Sequence, residues 1–225
     1  GMLSRPNNIG LGISDSSNVT VGGVGTQYRN VISGNATVNI QLGVNDQLTG
    51  VTDSTVQGNY IGVDSSGAIN HSLINGTGML IDGPSQNNLI GGVNSDEANI
   101  IAGNSGGVLI SSFIQTGFGG FVPTNNAILG NSIYDNETTP PYPGFSAGMG
   151  IDNLEMTEND YPPDGFDTST MSGPNTNSVS GSTSGEANDY LNHPVLSIFT
   201  YSGSTAKASF NLTAAGATTN TYRIE

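Results

Sequence analysis

The chain has 225 residues, 34% hydrophobic and 10% charged, with 18 acidic against four basic residues and a net charge of −14. That balance disfavours binding to nucleic acid or to an anionic membrane. The absence of cysteine excludes disulfides, thiolate nucleophiles and thiolate metal sites.

Read from the start, Gly1-Met2 looks like a scar of tag removal, and Asn8-Ile9-Gly10 already belongs to a repeat. The chain is therefore expected to be an excised or mature fragment. No apolar run approaches the roughly 18 residues of a membrane span, and nothing reads as a signal peptide. Residues 18–35 run Asn-Val-Thr-Val-Gly-Gly, six residues, then Asn-Val-Ile-Ser-Gly-Asn. Residues 88–104 run Asn-Leu-Ile-Gly-Gly, a similar gap, then Asn-Ile-Ile-Ala-Gly-Asn. The offsets are 70 residues (88 − 18) and 69 (99 − 30). Val56-Gln57-Gly58-Asn59-Tyr60-Ile61-Gly62 returns as Ile128-Leu129-Gly130-Asn131-Ser132-Ile133-Tyr134, with Asn59 and Asn131 72 residues apart (131 − 59). A period this long, built of short apolar pairs between Asn and Gly, marks a solenoid.

A third element is a Gly-led apolar strand. It occurs at Gly10–Ile13, Gly78–Ile81, Gly107–Ile110 and Gly148–Ile151, and Val38-Asn39-Ile40 fits the series without its Gly. Ile13, Ile40, Ile81, Ile110 and Ile151 are spaced by 27, 41, 29 and 41 residues, so short and long coils alternate. Each coil is expected to hold three strands and to place Ile40, Ile81, Ile110 and Ile151 in one inward column. The apolar runs are too short for helices, and their Ile and Val content with Gly and Asn punctuation reads as β. Asn18 with Asn88, Asn35 with Asn104 and Asn59 with Asn131 are expected at equivalent corners two coils apart, sharing amide hydrogen bonds along the axis. The fold class is thus all-β, a right-handed parallel β-helix of about five coils over residues 1–151. A connecting loop follows over 152–190, acidic and then Ser/Gly-rich. A small antiparallel β module over 191–225 closes the chain on strand signals at Pro194–Phe199, Ala206–Leu212 and Tyr222–Ile224, and ends as if truncated.

Eight acids between Asp135 and Asp167 have no basic residue among them. Asp160, Asp164 and Asp167 around the Gly165 bend, joined by Asp152, or by Glu155, form a candidate Ca²⁺ site. The competing reading is a solvated acidic loop. Tyr134, Tyr142, Phe145, Tyr161 and Phe166 lie near this stretch and suit either sugar stacking or a cap over the last coil. Paired carboxylates such as Asp64 and Asp82 are the raw material of glycoside hydrolysis, but no complete catalytic set is assigned. His71 and His193 have no nucleophile partner or metal-ligand spacing and read as structural or exposed. Gly22-Gly23 and Gly91-Gly92 read as corners, since no Gly-Lys-Ser/Thr follows.

Asn-x-Ile-Gly-Gly at 88–92, Asn-x-Ile-Ser-Gly-Asn at 30–35 and Val-x-Gly-Asn-x-Ile-Gly-x-Asp at 56–64 occur together with Gly150-Ile151-Asp152, Gly173-Pro174-Asn175, Asn192–Leu196 and Tyr222–Glu225. This set resembles the right-handed parallel β-helix proteins of large bacterial surface and secreted proteins. The resemblance covers nearly the whole chain and implies a β-helix with its C-terminal tail and an extracellular or cell-surface location. Such helices serve adhesins, exported passengers and polysaccharide-degrading enzymes alike. The motifs that β-helix polygalacturonases carry are missing, and the repeat region offers only Arg5 and Arg29 where lyases need a basic residue beside Ca²⁺. The reading is a non-enzymatic structural or adhesive segment of a longer polypeptide, with glycans or a host surface as partners and no required cofactor. A polysaccharide lyase or glycoside hydrolase, or a fragment of one, is the alternative.

Overall fold

The computed structural model describes residues 6–43, 50–70, 72–115, 119–136, 150–157, 195–202 and 205–211. These residues are nearly all β, and the sheets are parallel over most of their strands.

The chain makes successive passes through the same sheets. The first pass contributes β1 (Ile9–Ile13), β2 (Ser16–Ser17), β3 (Thr20–Gly22) and β4 (Val31–Ile32). The second contributes β5 (Val38–Leu42), β6 (Val51–Thr52), β7 (Thr55–Gln57) and β8 (Tyr60–Ile61). The third supplies β9 (Thr77–Ile81), β10 (Leu89–Gly91) and β11 (Ile100–Ala102). The fourth supplies β12 (Gly106–Gln115), β13 (Gly119–Phe121), β14 (Ala127–Leu129) and β15 (Ser132–Tyr134), and β16 (Ile151–Thr157) then pairs with β12. One sheet runs β1-β5-β9-β12, a second β3-β7-β10-β14 and a third β4-β8-β11-β15. β13 pairs antiparallel with β12. Separately, β17 (Val195–Ser202) and β18 (Thr205–Asn211) form an antiparallel pair at the first two C-terminal strand signals. The third signal, 222–224, lies outside the described residues.

Three strands per coil is an underestimate. A fourth, short side runs from β2 to β6 and continues as single bridges from Thr52 to Gln86 and from Gln86 to Thr124. It stays short because the next residue on each pass is left-handed: Asn18, Asp53, Asn87 and Asn125 have φ of 57, 52, 58 and 55°. Asn and Asp tolerate this conformation best among residues with a Cβ.

Alternation then sorts the side chains. Inward rows Val21-Val56-Ile90-Ile128 and Ile32-Ile61-Ile101-Ile133 face the core from the second and third sheets. The first sheet adds two inward rows, Leu11-Ile40-Met79-Val108 and Ile13-Leu42-Ile81-Ile110. Each fully buried Ile or Leu contributes about 1.5–3 kcal/mol relative to exposure.

These rows correct the expected isoleucine column. Ile13, Ile81 and Ile110 share a row, but Ile40 belongs to the row of Met79, and Ile151 pairs with Val108 rather than Ile110. Ile151 is also 45% exposed. The Gly equivalent to Gly107 is correspondingly Gly150, not Gly148. Both errors are slips of two residues. A two-residue slip keeps every side chain on its own face, so alternation alone does not detect it. The alternation of pass lengths holds: Leu11, Ile40, Met79, Val108 and Ile151 are 29, 39, 29 and 43 residues apart.

The corners carry polar columns that are buried at Asn59, Asn99, Ser54, Asn88 and Asn126. Asn30, Asn59, Asn99 and Asn131 precede the third sheet on successive passes. Nδ2 of each donates to Oδ1 of the next, at 3.0, 3.0 and 2.8 Å. The Asn59–Asn131 pairing was expected; Asn99 stands between them. A second column, Ser54-Asn88-Asn126, precedes the second sheet. Asn18 is not part of it. Its equivalent is Asn87, one residue from the expected Asn88, because Val21 aligns with Ile90 through Val56. The Asn87-Asn88 dipeptide supplies the left-handed corner with its first residue and the inward amide with its second.

Asn35 and Asn104 do occupy equivalent corners, with Asn75 on the pass between and Asn136 beyond. Asn39 is inserted here in place of the leading Gly. Its Oδ1 accepts from Asn35 Nδ2 at 2.7 Å, and its Nδ2 donates to Asn104 Oδ1 at 2.8 Å. On other passes the Gly is needed to leave room for the corner amide. A Cβ on Gly78 would lie 2.7 Å from Ile101 Cγ2 and 2.9 Å from Asn104 Nδ2.

Candidate functional site

Among the described residues, the outer surface offers two places with local chemistry. The first is an open groove of about 350 Å³ beside the short fourth side, lined by Asp15, Ser16, Ser17, Gly50, Thr52, Pro84 and Gln86. It spans three passes, with Ser17, Thr52 and Gln86 in register along it. The second lies before the third sheet. The Arg29 guanidinium carbon stands 4.0 Å above the centroid of the Tyr60 ring, while Arg29 Nε donates to the Gly58 carbonyl at 3.1 Å. Val31, Tyr60, Ile100 and Ser132 form the outward row of that sheet.

The expected metal ligands Asp160, Asp164 and Asp167 lie outside the described residues. Asp152 is on β16, opposite Leu109. Of the expected aromatic ligands, Tyr134 is on β15 opposite Ala102 and 42% exposed. Tyr142, Tyr161 and Phe166 lie outside the described residues, as do Phe145, His71 and His193.

Asp64 and Asp82 are each turned into their own loop. Asp64 Oδ1 accepts from the Ser66 hydroxyl at 2.6 Å and from the backbone N–H groups of Ser66 and Ala68 at 2.8 and 3.1 Å. These bonds, the Ser66 hydroxyl first, hold its pKa below the ordinary carboxylate value. Asp82 is buried and accepts from the Gly83 N–H at 3.0 Å. Glu97 closes a third loop: it accepts the Asn94 N–H at 2.8 Å and the Asn94 side-chain amide at 2.9 Å, and its pKa is lowered in that order of cause. The glycine pairs are corners as expected, Gly22, Gly23 and Gly91 having φ of 82, 143 and 83°.

Sequence reasoning missed the Arg29–Tyr60 stack. Its one signal was Arg29 itself, with no Lys or Arg between it and Lys207. Stacking across passes became visible only once Asn30 was aligned with Asn59, which sets Arg29 beside Gly58. No helix among the described residues is long and apolar enough to cross a membrane. Comparison with known protein families, curated proteins and solved structures finds no match.

Proposed function

We propose that the chain is a right-handed parallel β-helix serving as a structural or adhesive segment of a bacterial surface or secreted protein, with glycans as the contacted ligands and the remainder of a longer polypeptide as its neighbour. One observation carries this reading. Asparagine amides, buried at Asn59 and Asn99, bond each pass to the next without interruption from Asn30 to Asn131. A stack of this kind grows by about 4.8 Å per pass at constant cross-section. It behaves as a rigid spacer whose length is set by repeat number, and its outer rows are free to vary. That is the geometry of display and contact rather than of an enclosed reaction site.

The direct test is a glycan-array screen of the purified chain with and without Ca²⁺, run beside a cleavage assay on acidic polysaccharides. Selective glycan retention without release of unsaturated or reducing ends is the expected result. Release of unsaturated uronides would overturn the non-enzymatic reading in favour of a lyase.

A further inference from the structure

We propose, resting on the glycan-contact reading above, that Arg29 with Tyr60 and Tyr28 forms a binding site for the carboxylate of a terminal acidic sugar. Arg29 is held by two independent restraints. Its guanidinium carbon lies 4.0 Å from the centre of the Tyr60 ring, and its Nε–H is spent on the Gly58 carbonyl. A guanidinium has five N–H donors. The four on the Nη edge have no protein partner among the described residues. The carboxylate of Glu97, on a loop whose backbone carbonyl accepts the Gly58 N–H, is hydrogen-bonded to the Asn94 N–H and side-chain amide. A planar fork fixed in direction and unpaired on its outer edge matches a carboxylate bidentately.

The surroundings favour a sugar over a peptide acid. Tyr28 packs against Gly23 and is 59% exposed. Gly23 and Gly58 touch, since a Cβ on Gly58 would run into the Gly23 carbonyl. Gly23, against which Tyr28 packs, and Gly58, whose carbonyl holds Arg29, therefore adjoin on neighbouring passes. A ring offers a flat apolar face to the C–H side of a pyranose while the fork takes its carboxylate. The net charge of −14 sets the length of the ligand. A polyuronate is repelled as a whole, whereas one terminal carboxylate feels mainly the charges within about 8 Å.

The test uses the intact chain, titrated by NMR with methyl β-glucuronoside, the neutral methyl β-glucoside and N-acetyl-aspartate amide. The expected result is shift perturbation at Tyr28, Arg29 and Tyr60 by the glucuronoside, with at least roughly tenfold weaker binding of the neutral glucoside. Arg29→Gln and Arg29→Lys each weaken glucuronoside binding roughly tenfold or more, the lysine because it lacks the fork. Tyr28→Ala, distant from the core, weakens it severalfold and keeps the test open if an Arg29 variant folds poorly. Equal binding of the neutral glucoside, or full binding by Arg29→Gln, overturns the site. Equal binding of the aspartate overturns the assignment to a sugar. Array binding that survives Arg29→Gln removes this site and leaves the broader glycan reading standing.

Discussion

Asn59 and Asn99 are 40 positions apart, yet the Asn99 Oδ1 accepts both the backbone N–H and the side-chain Nδ2 of Asn59, each at 3.0 Å. The Asn99 Nδ2 in turn donates to the Val56 carbonyl at 2.8 Å and to Asn131 Oδ1 at 2.8 Å. All the polar capacity of one buried amide is used to tie three passes together. Asn99→Ala strands donors and acceptors on both sides, at about 1–3 kcal/mol for each group left unpaired. A loss of roughly 3 kcal/mol or more is expected in urea denaturation, with a greater loss for Asn99→Asp, which puts a carboxylate against carbonyl oxygens.

Asn87 sits one residue from the amide column and makes the opposite prediction. Its φ of 58° is its structural duty. Asn87→Gly is expected to leave stability within about 0.5 kcal/mol, because glycine enters this conformation freely. Asn87→Ala is expected to cost about 1–2 kcal/mol. Paired denaturation curves of the two variants check the assignment of the corner.

Asn39 breaks the Gly-led pattern, and its removal should not be benign. Asn39→Gly restores the residue that the other passes carry, but takes the partner from Asn35 Nδ2 and from Asn104 Oδ1. A loss of about 2–4 kcal/mol is expected from two unpaired buried groups. In the reverse sense, Gly107→Ala should fail, since its Cβ would collide with the Gly150 carbonyl. Thermal melts of both variants decide whether the position is specified pass by pass.

Acid should loosen the loops before the core. Asp64 and Glu97 have folded pKa values below their ordinary ones. Their contribution to loop order is therefore present above the unfolded carboxylate pKa and is lost as pH falls through the folded value. Carboxyl NMR titration is expected to show both midpoints depressed. Asp64→Asn should remove the pH response of residues 64–68 and leave Ile61 unaffected.

Strand identity, parallel stacking and the alternation of compact and long passes were legible because they depend on apolar spacing and on Asn and Gly at corners. Register was legible only to within the symmetry of the pattern. Ile40 was misassigned by two residues because its face is unchanged by that slip, and Asn18 by one because Asn87-Asn88 offered two matches. Asn39 was seen as a missing Gly and not as an amide filling the corner. The Arg29–Tyr60 contact joins two passes, so it has no local signature at either residue.

Among the described residues, the passes form a one-dimensional stack in which each pairs with its neighbours along the chain. Pulling a single molecule along the axis tests it, with cysteine handles at Asn7 and Ser132 in a chain that has no cysteine of its own. The account predicts stepwise release, with contour gains of roughly 100 Å for the compact passes and roughly 140 Å for the long ones, at ~3.4 Å per residue. A single release of roughly 400 Å without intermediate steps would contradict it.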